Sequence, residues 1–383
     1  MRFETRKKRS FGENIFRPKA RTERPDYVLI GIIFSILIFG LIALSSASNF
    51  QSYNQFNDSY YLFKHQLLFG LLPGLLLFFV LAKIDYGIFE KYSVLSFILS
   101  IILLISVFVP GIGVTYGRAR SWINVAGFSF QPAEIVKLLL IVSLSGWFAY
   151  RGREKTADFW NGLVPFAFIL GLICLPIIMQ PDIGTLAVIV LIALVIYFVA
   201  GGRLSHILGL GLAGLGAFGI LVAQAPYRAE RLMTFLHPEL DPEGIGYHIN
   251  QAFLAIGSGG WFGLGLGQSR QKFAYLPEVM GDSIFAIIAE ELGFIVSAGL
   301  VILFLTLLFR GLKLAQLSPD NFSRYVTVGI IAWFTLQAFL NIAAMVGIMP
   351  LTGIPLPFVS YGGSALMSAL AAAGVLVNIS KHT

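Results

Sequence analysis

Long apolar runs, separated by short polar or glycine-containing breaks, dominate the chain. The runs lie near residues 27–48, 61–84, 92–112, 132–150, 161–179, 184–200, 204–224, 284–309, 322–346 and 363–379. About 20 apolar residues are enough for a helix to cross the hydrocarbon core of a bilayer. The pattern therefore predicts an all-α polytopic membrane protein with ten transmembrane helices and with both termini on the same side.

The composition agrees with this prediction. Of the 383 residues, 57% are hydrophobic and only 12% are charged, whereas soluble domains carry about 25% charged residues. The single cysteine, Cys174, cannot form an internal bridge, so a secreted disulfide scaffold is excluded.

The distribution of basic residues predicts the orientation. Residues 1–26 contain nine basic and four acidic side chains, so this tail should stay in the cytoplasm. With that start, nine basic residues in the tail and ten in the other cytoplasmic segments make 19 of the 27 in the chain. The net charge of +7 thus reflects topology and does not indicate a nucleic-acid partner. We expect a basic cytoplasmic tail, 1–26, followed by a membrane domain, 27–379.

The predicted outer side has few cations, and most of them fall in the segments 113–131 and 225–283. The second segment is the longest polar stretch, and it is rich in Tyr, Phe, Gly and Pro. Loops of this length are usually functional or disordered, and this composition favours order. We expect a large ordered extracytoplasmic loop between helices 7 and 8.

Two ionisable residues at the start of the fourth predicted helix are candidates for function, because charge at membrane depth is costly. Glu134 and Lys137 are three residues apart, so their side chains share a helix face and can pair. Two interpretations stay open: a structural ion pair that orients the helix, or a pair that also lines a polar cavity open to the outside.

Another carboxylate, Asp282, lies near the end of the outer segment and just before the eighth predicted helix. Taken alone it would be assigned as a helix N-cap. However, Arg270 and Lys272 precede it closely, and a second basic cluster contains Arg228 and Arg231. A carboxylate beside cations suits a reaction with a phosphorylated leaving group, because it can take a proton while the cations hold the developing negative charge.

Three other polar features have simpler interpretations. Asp182 lies between two short spans, where a turn and N-cap role is favoured over catalysis. Glu290 is expected to make a buried polar contact between helices. Residues 350–364 contain three prolines and cannot lie within a helix, which predicts an ordered outer loop. Its Ser360 is either a helix cap or a substrate contact.

Four separated blocks carry a resemblance to a known family. They span residues 117–123 with 130–134, 180–185, 266–293 and 341–364. In these motifs the chain resembles the SEDS proteins, which include RodA, FtsW and SpoVE, over almost all of the predicted membrane region. The resemblance implies a ten-helix SEDS fold. It also implies a peptidoglycan glycosyltransferase that polymerises lipid II at the outer face of the bacterial cytoplasmic membrane, together with a class B penicillin-binding protein.

The resemblance also implies roles for individual residues. The essential aspartate of the family's large outer loop corresponds to Asp282, which we assign as general base, with Glu278 in reserve. The tryptophan of the family's first large loop and its buried Glu–Lys pair correspond to Trp122, Glu134 and Lys137. Cations suit the pyrophosphate because Arg can bind phosphate oxygens bidentately. The full set assigned to substrate binding is Arg118, Arg120, Trp122, Glu134, Lys137, Arg231, Gln268, Lys272 and Ser360. Many members have His-Thr-Asp-Phe where residues 280–283 of this chain are Met-Gly-Asp-Ser, so the polar neighbours of the aspartate differ. Whether a divalent cation assists the pyrophosphate stays open, and no other cofactor is indicated.

Within the family, residues 265–272 are most similar to the division and sporulation branch. This favours an FtsW-like role at the septum with other divisome proteins, and a RodA-like role in elongation is the alternative. Two further functions stay open. A lipid II flippase needs polar groups that are reachable from both faces, whereas those here concentrate at the outer mouth. A non-catalytic scaffold for the transpeptidase predicts that Asp282 can be replaced without loss of function.

Overall fold

The computed structural model describes residues 24–116, 119–125, 128–223, 233, 235–237 and 246–383. Within these ranges the chain is mainly helical, with one small sheet. The helices are α1 (Tyr27–Ala47), α2 (Asn49–Phe56), α3 (Tyr61–Leu81), α4 (Gly87–Lys91), α5 (Ser93–Ser106), α6 (Pro132–Arg151), α7 (Arg153–Thr156), α8 (Phe159–Met179), α9 (Ile183–Val199), α10 (Leu204–Ala223), α11 (Tyr247–Gly259), α12 (Ile284–Leu317), α13 (Asn321–Met345) and α14 (Gly363–Ser380). The strands are β1 (Gly113–Tyr116), β2 (Ala119–Val125) and β3 (Phe128–Phe130).

Seven of the described helices are long and apolar enough to cross a membrane, namely α1, α3, α6, α8, α12, α13 and α14. Three shorter apolar helices, α5, α9 and α10, lie at the other predicted runs. Each apolar run of the sequence therefore corresponds to a helix. The largest difference is at α12, which continues to Leu317, because a polar segment with Arg310 and Lys313 extends the helix beyond its apolar part.

Aspartate side chains cap the starts of four of the described helices, α1, α8, α9 and α13. Asp26 accepts hydrogen bonds from the backbone nitrogens of Val28 and Leu29 at the start of α1, at 3.1 and 3.0 Å. Asp182 accepts one from the backbone nitrogen of Thr185 at the start of α9, at 3.0 Å. Such caps satisfy backbone donors that a helix leaves unpaired. The N-cap interpretation of Asp182 is confirmed.

The helices α13 and α14 form the centre of the bundle, and most of their residues are buried. α14 packs closely on α3: a Cβ on Gly374 would come within 2.9 Å of the Phe78 Cα, and one on Gly70 would lie 3.2 Å from the Gly363 Cα. Small residues let helix backbones approach in this way. The opposite face of α3 exposes large apolar side chains such as Leu76, as expected for a helix in contact with lipid.

Residues 113–130 form a three-stranded antiparallel sheet in the order β1-β2-β3. Val114 pairs with Trp122, and Ile123 pairs with Phe130. The sequence predicts only a loop here, because strands of three to seven residues leave little hydrophobic periodicity. The last strand is followed almost directly by α6, so the sheet lies at the start of that helix.

The helix α12 is broken at Gly293, whose φ of 78° and ψ of −177° are in practice reached only by glycine. Residues 260–265 insert beside the break and pair with the helix backbone. The hydrogen bonds are Leu264 N to Glu290 O (3.0 Å), Gly265 N to Glu291 O (2.9 Å) and Phe294 N to Gly260 O (2.8 Å). Buried backbone polar groups need hydrogen-bond partners, and the inserted segment supplies them where the helix is interrupted. The eighth predicted helix is thus interrupted, which its apolar pattern did not indicate.

Candidate functional site

Asp282 lies in a turn just before α12, and polar groups of α13 and of the loop 350–362 hold the backbone of this turn. The contacts are Asn341 Nδ2 to the Asp282 carbonyl (2.8 Å), Ser360 Oγ to the Gly281 carbonyl (2.6 Å) and the Tyr361 amide to the Met280 carbonyl (2.8 Å). Three successive carbonyls are therefore fixed, and the half-buried aspartate is presented on a rigid backbone. Met280 and Gly281 take part through their main chain, so this support does not depend on polar side chains at those positions.

The residue after the aspartate occupies the cap position of the helix. α12 begins at Ile284, and its N-cap is Ser283, so Asp282 is not the N-cap residue. The Ser283 hydroxyl makes no cap hydrogen bond. It donates instead to the Pro277 carbonyl at 2.8 Å and lies 2.7 Å from Nε2 of His248 on α11.

Glu134 and Lys137 form a buried ion pair on α6, with a nitrogen–oxygen distance of 2.8 Å. Lys137 also donates to Oε1 of Gln337 at 2.7 Å, and its ammonium lies 4.7 Å from the ring centre of Trp333. Gln337 in turn donates to the carbonyl of Pro355 at 2.8 Å. The ion pair is therefore connected to the loop that holds the turn of the aspartate.

A narrow pocket lies under the same loop. Its walls include Glu134, Gln337 and Ser360, together with apolar side chains of the loop and of α14. Ser360 thus contacts the aspartate turn and also lines the pocket. The Glu134–Lys137 pair is a buried structural contact, and of its two side chains Glu134 lines the pocket.

Lys272 belongs to a different polar cluster, at the break in α12. Its ammonium lies 2.8 Å from Oε1 of Glu291, 2.7 Å from the Gly267 carbonyl and 3.2 Å from Oγ of Ser46. These contacts use the three hydrogens of the ammonium group. The neighbouring Glu290 is also buried and accepts hydrogen bonds from Ser269 and Arg270, so the polar contact predicted for it joins a helix to a loop rather than two helices.

Two predicted substrate-binding residues lie on β2. Arg120 donates to the carbonyl of Val109 at 3.3 Å, and Trp122 pairs across the sheet with β1. Arg118 and Arg231 lie outside the described residues.

Gln268 and Glu278 are exposed on the outer segment. Glu278 has a positive φ of 49°, and a Cβ added to Gly281 would lie 3.3 Å from its carboxylate, so the reserve carboxylate belongs to the same turn as the aspartate. In the part of the chain that the structure describes, no three His, Cys, Asp or Glu side chains are grouped to hold a metal ion.

Three further side chains, for which the sequence predicts no role, lie in this region: His248, Gln337 and Tyr361. The Tyr361 hydroxyl lies 3.0 Å from Nδ1 of His65 on α3. Burial raises the pKa of Tyr361, so the hydroxyl keeps its proton at neutral pH. A polar residue within an apolar run is a signal that points to Gln337, whereas the contact of His248 joins distant segments and has no local signal.

The chain is similar to known proteins along almost its whole length. A family model for FtsW, RodA and SpoVE, described as cell cycle protein, matches residues 27–383. Stage V sporulation protein E of Bacillus subtilis (strain 168) is 44% identical over 359 residues, which cover 94% of this chain and 98% of that protein. A probable peptidoglycan glycosyltransferase FtsW of Geobacter sp. (strain M18) is 37% identical over 94% of this chain and 98% of that protein.

Solved structures agree with these relatives. A chain from work on the structural coordination of polymerization and crosslinking by a peptidoglycan synthase complex has a TM-score of 0.76 and 29% identity, covering 93% of this chain and 97% of that chain. The crystal structure of the rod shape determining protein RodA of Thermus thermophilus has a TM-score of 0.68 and 28% identity, covering 92% and 96%. The family match over residues 27–383 includes the broken helix, the aspartate turn and the pocket. The chain therefore has a RodA-like fold and belongs to the FtsW/RodA/SpoVE family of cell cycle proteins.

Proposed function

We propose that this chain is a peptidoglycan glycosyltransferase that polymerises lipid II into glycan strands at the outer face of the cytoplasmic membrane. The observation that carries the proposal is the rigid turn that presents Asp282 next to a loop whose Ser360 also lines a pocket with Glu134. The FtsW relatives, which are named probable peptidoglycan glycosyltransferases, support the same activity.

In the proposed reaction, a sugar hydroxyl of the acceptor attacks the anomeric carbon of a lipid-linked donor. Asp282 takes the hydroxyl proton as the new carbon–oxygen bond forms. The bond to undecaprenyl pyrophosphate breaks, and its electron pair leaves with the phosphate oxygen. A general base must stay within hydrogen-bond reach of the proton that it removes, which a fixed backbone favours. Glu278, in the same turn, is the reserve candidate.

Negative charge develops on the leaving pyrophosphate, so nearby cations stabilise the transition state. The residues that we assign to substrate binding are Arg118, Arg120, Trp122, Glu134, Lys137, Arg231, Gln268 and Ser360. Lys272 is assigned differently, because its ammonium is held by Glu291 and by the carbonyl of Gly267. We propose that it fixes the outer segment and so acts on the substrate only indirectly.

The proposed topology has ten membrane-spanning helices, with the three shorter apolar helices included. Residues 1–26 and the C-terminal end lie in the cytoplasm, and 225–283 lies outside. The basic residues support this orientation. Labelling of single cysteines, introduced after Cys174→Ser, tests it. A cysteine at Lys64 should react with an impermeant reagent in intact cells, and one at Lys155 only after permeabilisation.

We propose a class B penicillin-binding protein as the partner and the division septum as the site of action. The solved relative in a peptidoglycan synthase complex supports a transpeptidase partner, and the relatives named FtsW and SpoVE favour division or sporulation over elongation. Depletion of the protein should block septation. Rounded cells that still divide would support the RodA-like alternative.

The central experiment is polymerisation of labelled lipid II by the purified protein with its class B partner. Wild type should make glycan strands, and Asp282→Asn should make none, because Asn keeps the size of the side chain but cannot take the proton. Asp58→Asn is the matched control: this exposed aspartate pairs with Lys64 away from the turn, and the variant should remain active.

The outcomes separate the rival functions. Equal activity of wild type and Asp282→Asn would transfer the role of base to Glu278. Inactivity of both, in an assay validated with a known polymerase, would favour a scaffold, or a flippase if vesicles containing the protein translocate lipid II.

A further inference from the structure

A histidine from another helix contacts the turn that carries the aspartate. Nε2 of His248 on α11 lies 2.7 Å from Oγ of Ser283. Ser283 is fully buried, and His248 is half-buried. We propose that His248 is a positioning residue of the transfer reaction, which acts through Ser283 to hold Asp282 in place. This inference rests on the proposed function and adds to it a residue from outside the turn.

The direction of the hydrogen bonds follows from the groups involved. The Ser283 hydroxyl has one hydrogen, which it donates to the Pro277 carbonyl at 2.8 Å. Its oxygen therefore accepts the hydrogen on Nε2 of His248. The resulting chain of bonds, from His248 through Ser283 to Pro277, connects α11 to both ends of the turn.

The position of Ser283 shows that this arrangement replaces a more usual one. A serine at the N-cap of a helix commonly accepts a hydrogen bond from a backbone nitrogen of the first turn. Ser283 is the N-cap of α12 and makes no such bond. Its hydroxyl is instead oriented by the histidine and the carbonyl, so it stabilises the turn before the helix rather than the first turn of the helix.

The backbone of the aspartate is thus held from two sides. Asn341 and Ser360 bind the carbonyls of Asp282 and Gly281, while α11 binds the next residue through His248. Loss of either support should let the carboxylate move relative to the acceptor hydroxyl. Misplacement of a reacting group by about 1 Å can reduce a rate about 100-fold.

The test is steady-state polymerisation of labelled lipid II by the full-length protein with its class B partner. His248→Leu and Ser283→Ala should each lower kcat about 10- to 100-fold, whereas KM for lipid II should stay within about twofold because the proposed binding residues are untouched. His248→Gln should recover most of kcat, because its amide nitrogen can donate to the same hydroxyl. The double variant should be no worse than the more impaired single variant, since both substitutions break one chain of bonds.

Ser258→Ala is the matched control on the same helix. Its hydroxyl donates within α11, to the Ala255 carbonyl at 2.9 Å, so kcat should equal that of wild type. Thermal unfolding of each variant then separates a positioning effect from a loss of folded protein.

Two results would overturn the inference: wild-type kcat for His248→Leu, or a folded His248→Gln that is as impaired as His248→Leu. If Asp282→Asn polymerises as well as wild type, the proposed role of Asp282 and this inference fail together. If Asp282→Asn is inactive while His248→Leu is fully active, only this inference fails.

Discussion

Two buried ion pairs with the same chemistry lie in very different surroundings. Glu134–Lys137 and Lys272–Glu291 each have a nitrogen–oxygen distance of 2.8 Å and are almost fully buried. The carboxylate of Glu291 also accepts hydrogen bonds from Ser46 and from the backbone of the outer segment. Among the described residues, Glu134 has Lys137 as its hydrogen-bond donor, and it faces a pocket.

The difference distinguishes an ion pair whose polar groups are all used within the protein from one whose carboxylate borders a pocket. At the break in α12 the backbone of the helix is opened, and Lys272 and Glu291 tie the chain around Gly267 and Ser269 to it. Their polar groups are used within the protein. At the pocket, the helices are continuous, and the carboxylate of Glu134 keeps acceptor capacity on the pocket side. Burial and charge are nearly the same in the two ion pairs, so only the hydrogen-bond partners of their carboxylates distinguish them.

The largest effect is expected when the pair at the break is split. Lys272→Met leaves the carboxylate of Glu291 buried without its cation, which typically costs about 3–5 kcal/mol. We expect a low yield of folded protein and a strongly lowered unfolding temperature in detergent.

A second variant identifies the cause of that loss. Lys272→Met combined with Glu291→Gln removes both charges and should recover most of the stability, because the buried uncompensated charge is gone. If the single variant unfolds at the wild-type temperature, the cluster does not stabilise the break.

The break itself gives the next largest effect. Gly293→Ala places a Cβ against the backbone nitrogen of Gly263 at a positive φ, and such backbone strain costs about 1–3 kcal/mol before the overlap is counted. Gly299→Ala on the same helix is the control, because a Cβ there meets nothing within 4 Å. A lowered unfolding temperature for the first variant and not the second is the expected result. If Gly293→Ala and Gly299→Ala unfolded at the same temperature, α12 could run continuously through residue 293 without the inserted segment.

The sequence predicts the helices of this fold better than their interruption. Whether a run of residues is apolar enough to span a bilayer is a local property, so each predicted run is found as a helix. The break at Gly293 depends on a segment about 30 residues earlier that supplies the missing hydrogen bonds. A glycine in an apolar run is ordinary, and its neighbours do not reveal this partner.

The candidate site shows the same limit. Glu134 could be selected from the sequence because charged residues at the ends of apolar runs are uncommon. Asp282 is selected for its neighbouring cations and its match to the family aspartate, and Ser360 for its place in the proline-rich motif. Lys272 resembles the other outer cations in sequence, and only the folded chain shows that its ammonium is occupied by Glu291. The contact of His248 with the turn is likewise a product of tertiary packing.

A neutralised pocket pair should affect activity more than stability. Glu134→Gln with Lys137→Met removes both charges and leaves no unpaired one, so the protein should fold. Polymerisation of lipid II should fall at least about tenfold, equivalent to about 1.4 kcal/mol of transition-state stabilisation, because the pocket loses its polar wall. Lys272→Met with Glu291→Gln should keep activity within a few-fold of wild type. If the two double variants lose activity equally, the distinction between the pairs is wrong.

The smallest effect is expected at an exposed pair with the same geometry. Asp58 and Lys64 are also 2.8 Å apart, but 40% and 61% of their side chains are exposed. The hydrogen bond from Lys64 lowers the pKa of Asp58, with a further contribution from the Tyr60 backbone. Because the folded-state pKa is lowered, any stabilisation is present at neutral pH and is lost as the pH falls through that pKa. Water screens such a pair, so Lys64→Ala should leave the unfolding temperature at pH 7 and the polymerisation rate unchanged. A loss as large as that of Lys272→Met would mean that burial is not what gives the pair at the break its strength.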